Sequence, residues 1–458
     1  MNYDMKYLSI PLPEDITKLK WSGFFKELQA AIQVYLQKEN LPESLRKRLE
    51  IESELASRIP IQYPFSWNDA LCLLKDNIQN FKEEELICLW RSNTADWVFI
   101  EGKIFFHELF FENLLKTQNE FKARAKQQDT MPSSNVQLLT DNISAMRQKG
   151  NRHLHMRIKT TLRLDEKTAE AYKGRSLQVY MPLPVEYSQV ENLKLLNFSH
   201  TPVSIADKHY PQRTVLFEGT FNGTENWSTE YELDNLTPYH NFRSENVSNI
   251  QPKFYTQEEL PHIRFTPYIK DLTEQVVGSE TNPLIKARNI YNYITKNIMY
   301  SFVRTYATIY DLAEFPAVNL KGDCGLQALL FITMCRYAGI PARWQSGLYS
   351  TPYDVSQHDW AQYYIAPFGW LFADCSFGGS AYRQNDLKRH EFYFQNVDPY
   401  RVPYASEFMH EFNIIPNAVR DDPYDNQLGE IICEGKSLKC YSDFYTTFEL
   451  LDIHEITE

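Results

Sequence analysis

The chain has 458 residues, a net charge of −12, 43% hydrophobic residues and 14% aromatic ones. That length is too great for one ordinary core, so two or three domains are expected, and the apolar content excludes a disordered chain. The negative balance argues against a nucleic-acid surface, because nothing would offset phosphate repulsion.

Met1-Asn-Tyr-Asp-Met-Lys-Tyr lacks the apolar segment of a signal peptide, and no run of apolar residues is long enough to cross a membrane. Seven scattered cysteines with no Cys-x-x-Cys pair fit a reducing compartment, without disulfides or zinc. Cys433 and Cys440 flank Glu-Gly-Lys-Ser-Leu-Lys and are read as free thiols. The expectation is a cytoplasmic protein with no membrane or nucleic-acid partner and no metal or cofactor.

Helical signals fill residues 1–125, an accessory domain. Pro42 opens a helix with Leu45, Leu49 and Ala56 on one face, and Ser66 caps Trp67 to Asn80. A third helix is expected from Lys103 to Thr117, carrying Ile104, Phe105, Leu109, Phe110 and Leu114. His107, among phenylalanines, reads as a packing residue. Residues 126–150 read as a polar linker and a short helix ending at Lys149-Gly150.

The hydrophobic period then changes to two. From Arg152 to Leu164 the apolar residues Leu154, Met156, Ile158, Leu162 and Leu164 alternate with His153, His155, Arg157, Lys159 and Arg163. The two histidines share the charged face with no third ligand nearby, which argues against a metal site. A strand follows at Leu177–Leu183, and Asn222-Gly223 predicts a hairpin between Val215–Phe217 and Trp227–Leu233. These short strands suggest an immunoglobulin-like β-sandwich, assigned to 151–262.

The remainder, 263–458, carries the chemistry. A helix opens at Asn282-Pro283 with Ala287, Ile290, Tyr291, Ile294 and Ile298 on one face. A second helix, Cys324 to about Tyr337, is apolar all round and therefore buried, capped by Asp323 and stopped by Gly339 and Pro341. Cys324 stands in its first turn, where free N–H groups and the helix dipole favour a thiolate. Cys335, deep in the same helix, is a core residue.

A nucleophilic cysteine needs a base, and the base an orienting group. Strands are expected from His358 to Ile365 and from Trp370 to Asp374, joined by Pro367-Phe368-Gly369. A three-residue loop puts His358 and Asp374 on one face, but diagonal in a flat register. Asp359 points to the opposite face and is a poor triad member. His390 and His410 are rival bases in surroundings that suggest ordinary polar roles. The Cys324 N–H is a natural oxyanion donor, with Tyr300 as the candidate for a second. Cys375 to Gly379 reads as flexible, the segment beyond as loop-rich, and short strands close the chain at Gly429–Cys433 and Tyr445–Leu451. The acidic cluster Asp421, Asp422, Asp425 and Glu430 reads as a solvated turn, and no Asp-x-Asp-x-Asp-Gly calcium loop is present.

Gly-Asp-Cys324-Gly, Arg336-Tyr-Ala-Gly-Ile-Pro-Ala-Arg343, His358-Asp-Trp360-Ala and Trp370-Leu-Phe-Ala-Asp374 stand in one order. Together they resemble the core of the transglutaminase-like superfamily over residues 283 to 380. Asp398-Pro-Tyr-Arg401 and Asp422 to Glu430 resemble the C-terminal part of bacterial members. The resemblance implies an α+β, papain-like core and a triad of Cys324, His358 and Asp374, with Trp360 walling the cleft. Cys375 departs from the pattern, since a proline more often follows the aspartate, and the helical N-terminal third lies outside it. Hydrolysis of a peptide or side-chain amide through a thioester is the expected reaction, with a peptide or protein as substrate. Protein-glutamine amine transfer, or non-catalytic peptide binding, are the alternatives.

Overall fold

A computed structural model of the protein describes residues 5–126 and 133–457, so the expected linker at 127–132 lies outside the described residues. Helices Glu14–Trp21, Phe25–Leu36 and Glu43–Gln62 pack around Leu28, Ile32, Leu49 and Tyr63. Trp67–Asn77, Glu83–Arg91 and Phe110–Thr117 pack around Leu74, Leu86, Phe106 and Phe110. Ser66 starts its helix through a reciprocal capping box with Asp69.

The helix expected over Lys103–Thr117 is half strand. Trp97–Ile100 and Lys103–Phe106 form a hairpin closed by Glu101-Gly102, both with positive φ (48° and 76°). A two-residue turn of that handedness matches strand twist, and Ile104-Phe105-Phe106 favours extended backbone, so helix resumes only at Phe110.

Two antiparallel sheets share the core containing Met156, Ile158, Val179, Phe217 and Tyr231. In one, Phe444–Glu455, Asn151–Leu164, Trp227–Pro238 and Val190–Phe198 lie side by side. In the other, Glu430–Cys433 pairs with Ser176–Pro182, which pairs with Thr214–Thr220. Two expectations are corrected here. Asn222-Gly223 does not close a hairpin, because the strands on either side of it belong to different sheets; Asn222 instead caps the bend by accepting the N–H groups of Thr224 and Glu225. The C-terminal strands complete these sheets rather than the region after 262: Glu430–Cys433 pairs with Ser176–Pro182, and Phe444–Glu455 with Asn151–Leu164.

The third sheet positions the site. Its antiparallel order is Phe394–Gln395, Gly369–Ala373, Asp354–Ile365, Ala342–Thr351 and Arg401–Ala405. Ala342–Thr351 was not expected as a strand. It is buried on both faces, so its sequence shows no alternation to read. Against this sheet packs the helix Cys324–Tyr337, every residue of which from Gly325 to Arg336 is buried. Pro283–Asn297, begun by the Asn282 cap, packs alongside.

The stretch read as flexible is the helix Cys375–Arg383, capped by Asp374, and Leu387–Phe392 is helical too. Cys375 occupies the first helical position, where a proline also fits, so the departure from the family pattern leaves the turn intact. Gly378 serves contact rather than mobility, since a Cβ there would lie 1.9 Å from the Tyr291 hydroxyl. That ring is fully buried and its hydroxyl donates to the His390 carbonyl at 2.7 Å. Gly378→Ala is therefore expected to lower unfolding free energy by roughly 1–3 kcal/mol in denaturant titrations. Unchanged stability would show that the Tyr291 contact is not tight.

Candidate active site

Asp374 ends its strand and is completely buried. It accepts from His358 Nε2 at 2.8 Å at one oxygen, and from the Phe377 N–H and the Ser376 hydroxyl at the other. Arg401 Nη1 lies 3.0 Å from the oxygen facing His358, and Arg401 Nη2 lies 2.8 Å from Asp398, all three side chains being out of contact with solvent. Burial pushes the Asp374 carboxyl up, but the charges of His358 and Arg401 outweigh it and hold the group at about 2. Asp374 is thus an ionised acceptor, so Nε2 must carry the ring hydrogen. Burial holds the His358 ring below its ordinary value, against the opposing pull of Asp374. A neutral ring with its hydrogen on Nε2 leaves Nδ1 as a bare base, and no protein hydrogen bond occupies it among the described residues.

The register pairs Ala361 with Ala373 and Ile365 with Gly369, so the connecting residues are Ala366–Phe368, one position earlier than expected but of the same number. His358 and Asp374 are diagonal neighbours in that register, and their side chains close the gap. Because the aspartate strand stops opposite Ala361, His358–Trp360 continue as a free edge on that side.

Cys324 sits at this edge, partly exposed. Its Sγ donates to Asp359 Oδ2 at 3.4 Å. No hydrogen bond joins the thiol to His358 among the described residues. The structure therefore brings His358 and Asp374 together and sets Cys324 against Asp359, the residue that sequence reasoning set aside. Burial, then the neighbouring Cys324 and Asp323, raises the Tyr300 hydroxyl well above its ordinary value, so it stays protonated as a donor. Trp360 walls no cleft. It is completely buried, stacks behind the His358 ring with 6.2 Å between centroids, and donates from Nε1 to Gln345. His390 bonds to the Thr295 hydroxyl and His410 to the Glu411 carbonyl, and no hydrogen bond joins either ring to Cys324 among the described residues.

Residues 270–375 match the family model described as the transglutaminase-like superfamily. This part of the chain is a transglutaminase-like domain. An uncharacterized protein of Haemophilus influenzae is 28% identical over 168 residues, covering 31% of this chain and 43% of that protein. The chain thus matches less than half the length of that curated relative. Among solved structures, a candidate cysteine protease from Cytophaga hutchinsonii is 15% identical with a TM-score of 0.39, covering 66% of this chain and 91% of that one. The periplasmic domain of TgpA from Pseudomonas aeruginosa is 13% identical with a TM-score of 0.29, covering 50% and 98%.

The surroundings of the thiol in the transglutaminase-like domain are acidic, against the expectation of an electropositive site. Burial, then the carboxyls of Asp359 and Asp323, push the thiol well above its ordinary value. Burial raises Asp359 as well, and burial, then the carboxyls of Asp422 and Asp359, raises Asp425 with it. The cluster read as a solvated turn is packed instead: Asp425 is buried against Asp359, and Glu430 is buried in an ion pair with Arg420 at 2.8 Å. Gln427 Nε2 donates to Asp359 Oδ1 at 2.8 Å and to the His358 carbonyl at 3.0 Å, tying this segment to the histidine strand. Among the described residues no group of three or more His, Cys, Asp or Glu is placed to hold a metal, and no helix is long and apolar enough to cross a membrane.

Asp323 is raised to about 6, chiefly by burial, while it accepts from the Tyr306 hydroxyl at 2.6 Å and caps Leu326 N–H at 3.1 Å. A raised carboxyl keeps its proton in the folded state after the unfolded chain has released it, so its contribution to stability falls as pH rises from about 4 to about 6. Asparagine preserves the cap and the acceptor without titrating. Relative to wild type, Asp323→Asn is expected to gain on the order of 1 kcal/mol across that window, read by denaturant unfolding at several pH values. A pH-independent difference would contradict the buried-carboxyl account.

Proposed function

We propose that the transglutaminase-like domain hydrolyses a peptide or side-chain amide through a thioester on Cys324. The observation that supports this best is the Asp374–His358 hydrogen bond at 2.8 Å, which commits Nε2 and leaves Nδ1 bare. The sulfur rests against the carboxyl of Asp359, the residue next to His358.

Turning about its Cα–Cβ bond, the thiol exchanges Asp359 for His358 Nδ1. Sγ attacks the amide carbon as its proton passes to Nδ1. The tetrahedral adduct collapses, the C–N bond breaks, and the imidazolium gives its proton to the departing amine. Water then adds to the thioester with His358 again as base, releasing the carboxylic acid and restoring the thiol. Asp374 holds the ring and balances its transient charge, while Arg401 keeps Asp374 ionised. The Cys324 N–H and the Tyr300 hydroxyl are the donors for the oxyanion. Since acids surround the thiol, the nucleophile is generated by the base during attack rather than stored as a thiolate.

Cys324→Ala and His358→Ala should each abolish release of amine from a fluorogenic peptide mixture, with Cys335→Ala retaining it. Incorporation of a fluorescent amine into a glutamine peptide, without hydrolysis, would replace the hydrolase reading by amine transfer. Full turnover by Cys324→Ala would remove the thioester mechanism altogether.

A further inference from the structure

The N-terminal region meets the transglutaminase-like domain at the segments that enclose Cys324. Asn113, buried on the helix Phe110–Thr117, accepts the Phe302 N–H at 2.7 Å and donates to the Phe302 carbonyl at 2.9 Å. Gln62, ending the helix Glu43–Gln62, accepts the Thr305 N–H at 3.2 Å and donates to the Thr305 hydroxyl. Two side-chain amides thus grip the backbone of one loop much as a neighbouring strand would.

That loop leads directly to the sulfur. Tyr306 follows Thr305, and its hydroxyl donates to Asp323, the cap of the cysteine helix and the residue before Cys324. Gly325 leaves no slack in this contact, since a Cβ there would lie 2.2 Å from the Tyr306 hydroxyl and 2.7 Å from Asp359 Oδ2. From the other side, Arg58 donates to the carbonyls of Arg420 and Asp421 at 3.0 and 2.9 Å. The same segment continues to Asp425 and Gln427, which bear on Asp359. Both walls of the thiol site are therefore anchored in residues outside the span matching the family model.

We propose that the N-terminal region is a clamp that sets the position of Cys324, with Asn113 and Gln62 as positioning residues acting through Phe302–Tyr306. The catalytic part of this rests on the assignment of Cys324 as nucleophile; the positional part does not. Loss of either amide frees the loop, exposes the sulfur and misplaces it with respect to His358.

The test uses the full-length chain carrying Asn113→Ala or Gln62→Ala. Iodoacetamide labelling of Cys324 and of buried Cys335 is followed by mass spectrometry, together with kcat and KM on a peptide cleaved by wild type. The clamp predicts severalfold faster labelling of Cys324, no change at Cys335, and kcat lower by roughly ten- to a hundredfold with KM little altered. Equal acceleration at both cysteines would show general loosening and overturn the proposal, as would labelling of Cys324 within about twofold of wild type. Gln62 is only partly buried, so Gln62→Ala carries the test should Asn113→Ala fail to fold. If wild type cleaves no amide, the hydrolase reading falls while the ratio of the two labelling rates still decides the clamp.

Discussion

A single buried negative charge, on Asp374, organises the site. A carboxylate without solvent is sustained only by partners that compensate it, and here Arg401 and His358 both press on the same oxygen. Arg401 is itself neutralised by Asp398, to which Nε and Nη2 donate, so the buried charges offset one another. The sheet places Arg401 at the start of its outer strand and Asp374 at the end of another, on either side of the histidine strand. Asp374 also caps the helix Cys375–Arg383, which carries Phe377 onto the His358 ring at 4.7 Å. One carboxylate therefore fixes a proton, a ring orientation and a helix.

The sulfur is governed by the opposite electrostatics. A helix N-terminus alone would draw a thiol toward ionisation, but burial and neighbouring carboxyls outweigh it at Cys324. A thiol kept protonated and hydrogen-bonded to Asp359 is shielded from indiscriminate alkylation or oxidation. In the proposed mechanism its reactivity depends on turning from Asp359 to His358, the ring that Asp374 holds. In that proposal the acids belong to the resting arrangement, and the ion-paired set of Asp374, Arg401 and Asp398 to the reacting one.

Much of this was legible in the chain. The cysteine helix announces itself through a cap, a wholly apolar surface and a glycine stop, and an odd loop places His358 and Asp374 on one face. What escaped notice lacked a local signal. Ala342–Thr351 is buried on both faces and so has no period. The helix after Asp374 looked like a glycine-rich loop, although Gly378 is there to admit Tyr291. Asp359 was discounted because it faces away from His358, which is correct, yet the thiol lies against its side of the strand. Arg401 stood in a recognised Asp-Pro-Tyr-Arg run, but only tertiary structure shows whose charge it balances. The Asn113 and Gln62 contacts span about 190 and 240 positions, beyond the reach of any local pattern.

The central claim is that the His358 ring holds its hydrogen on Nε2 for Asp374 and offers Nδ1 to the sulfur. Nitrogen-15 NMR of the ring measures both halves directly. The account predicts a neutral ring protonated at Nε2, with an Nδ1 resonance that moves when Cys324 is replaced by alanine. A hydrogen on Nδ1, or an Nδ1 signal indifferent to Cys324, would contradict it.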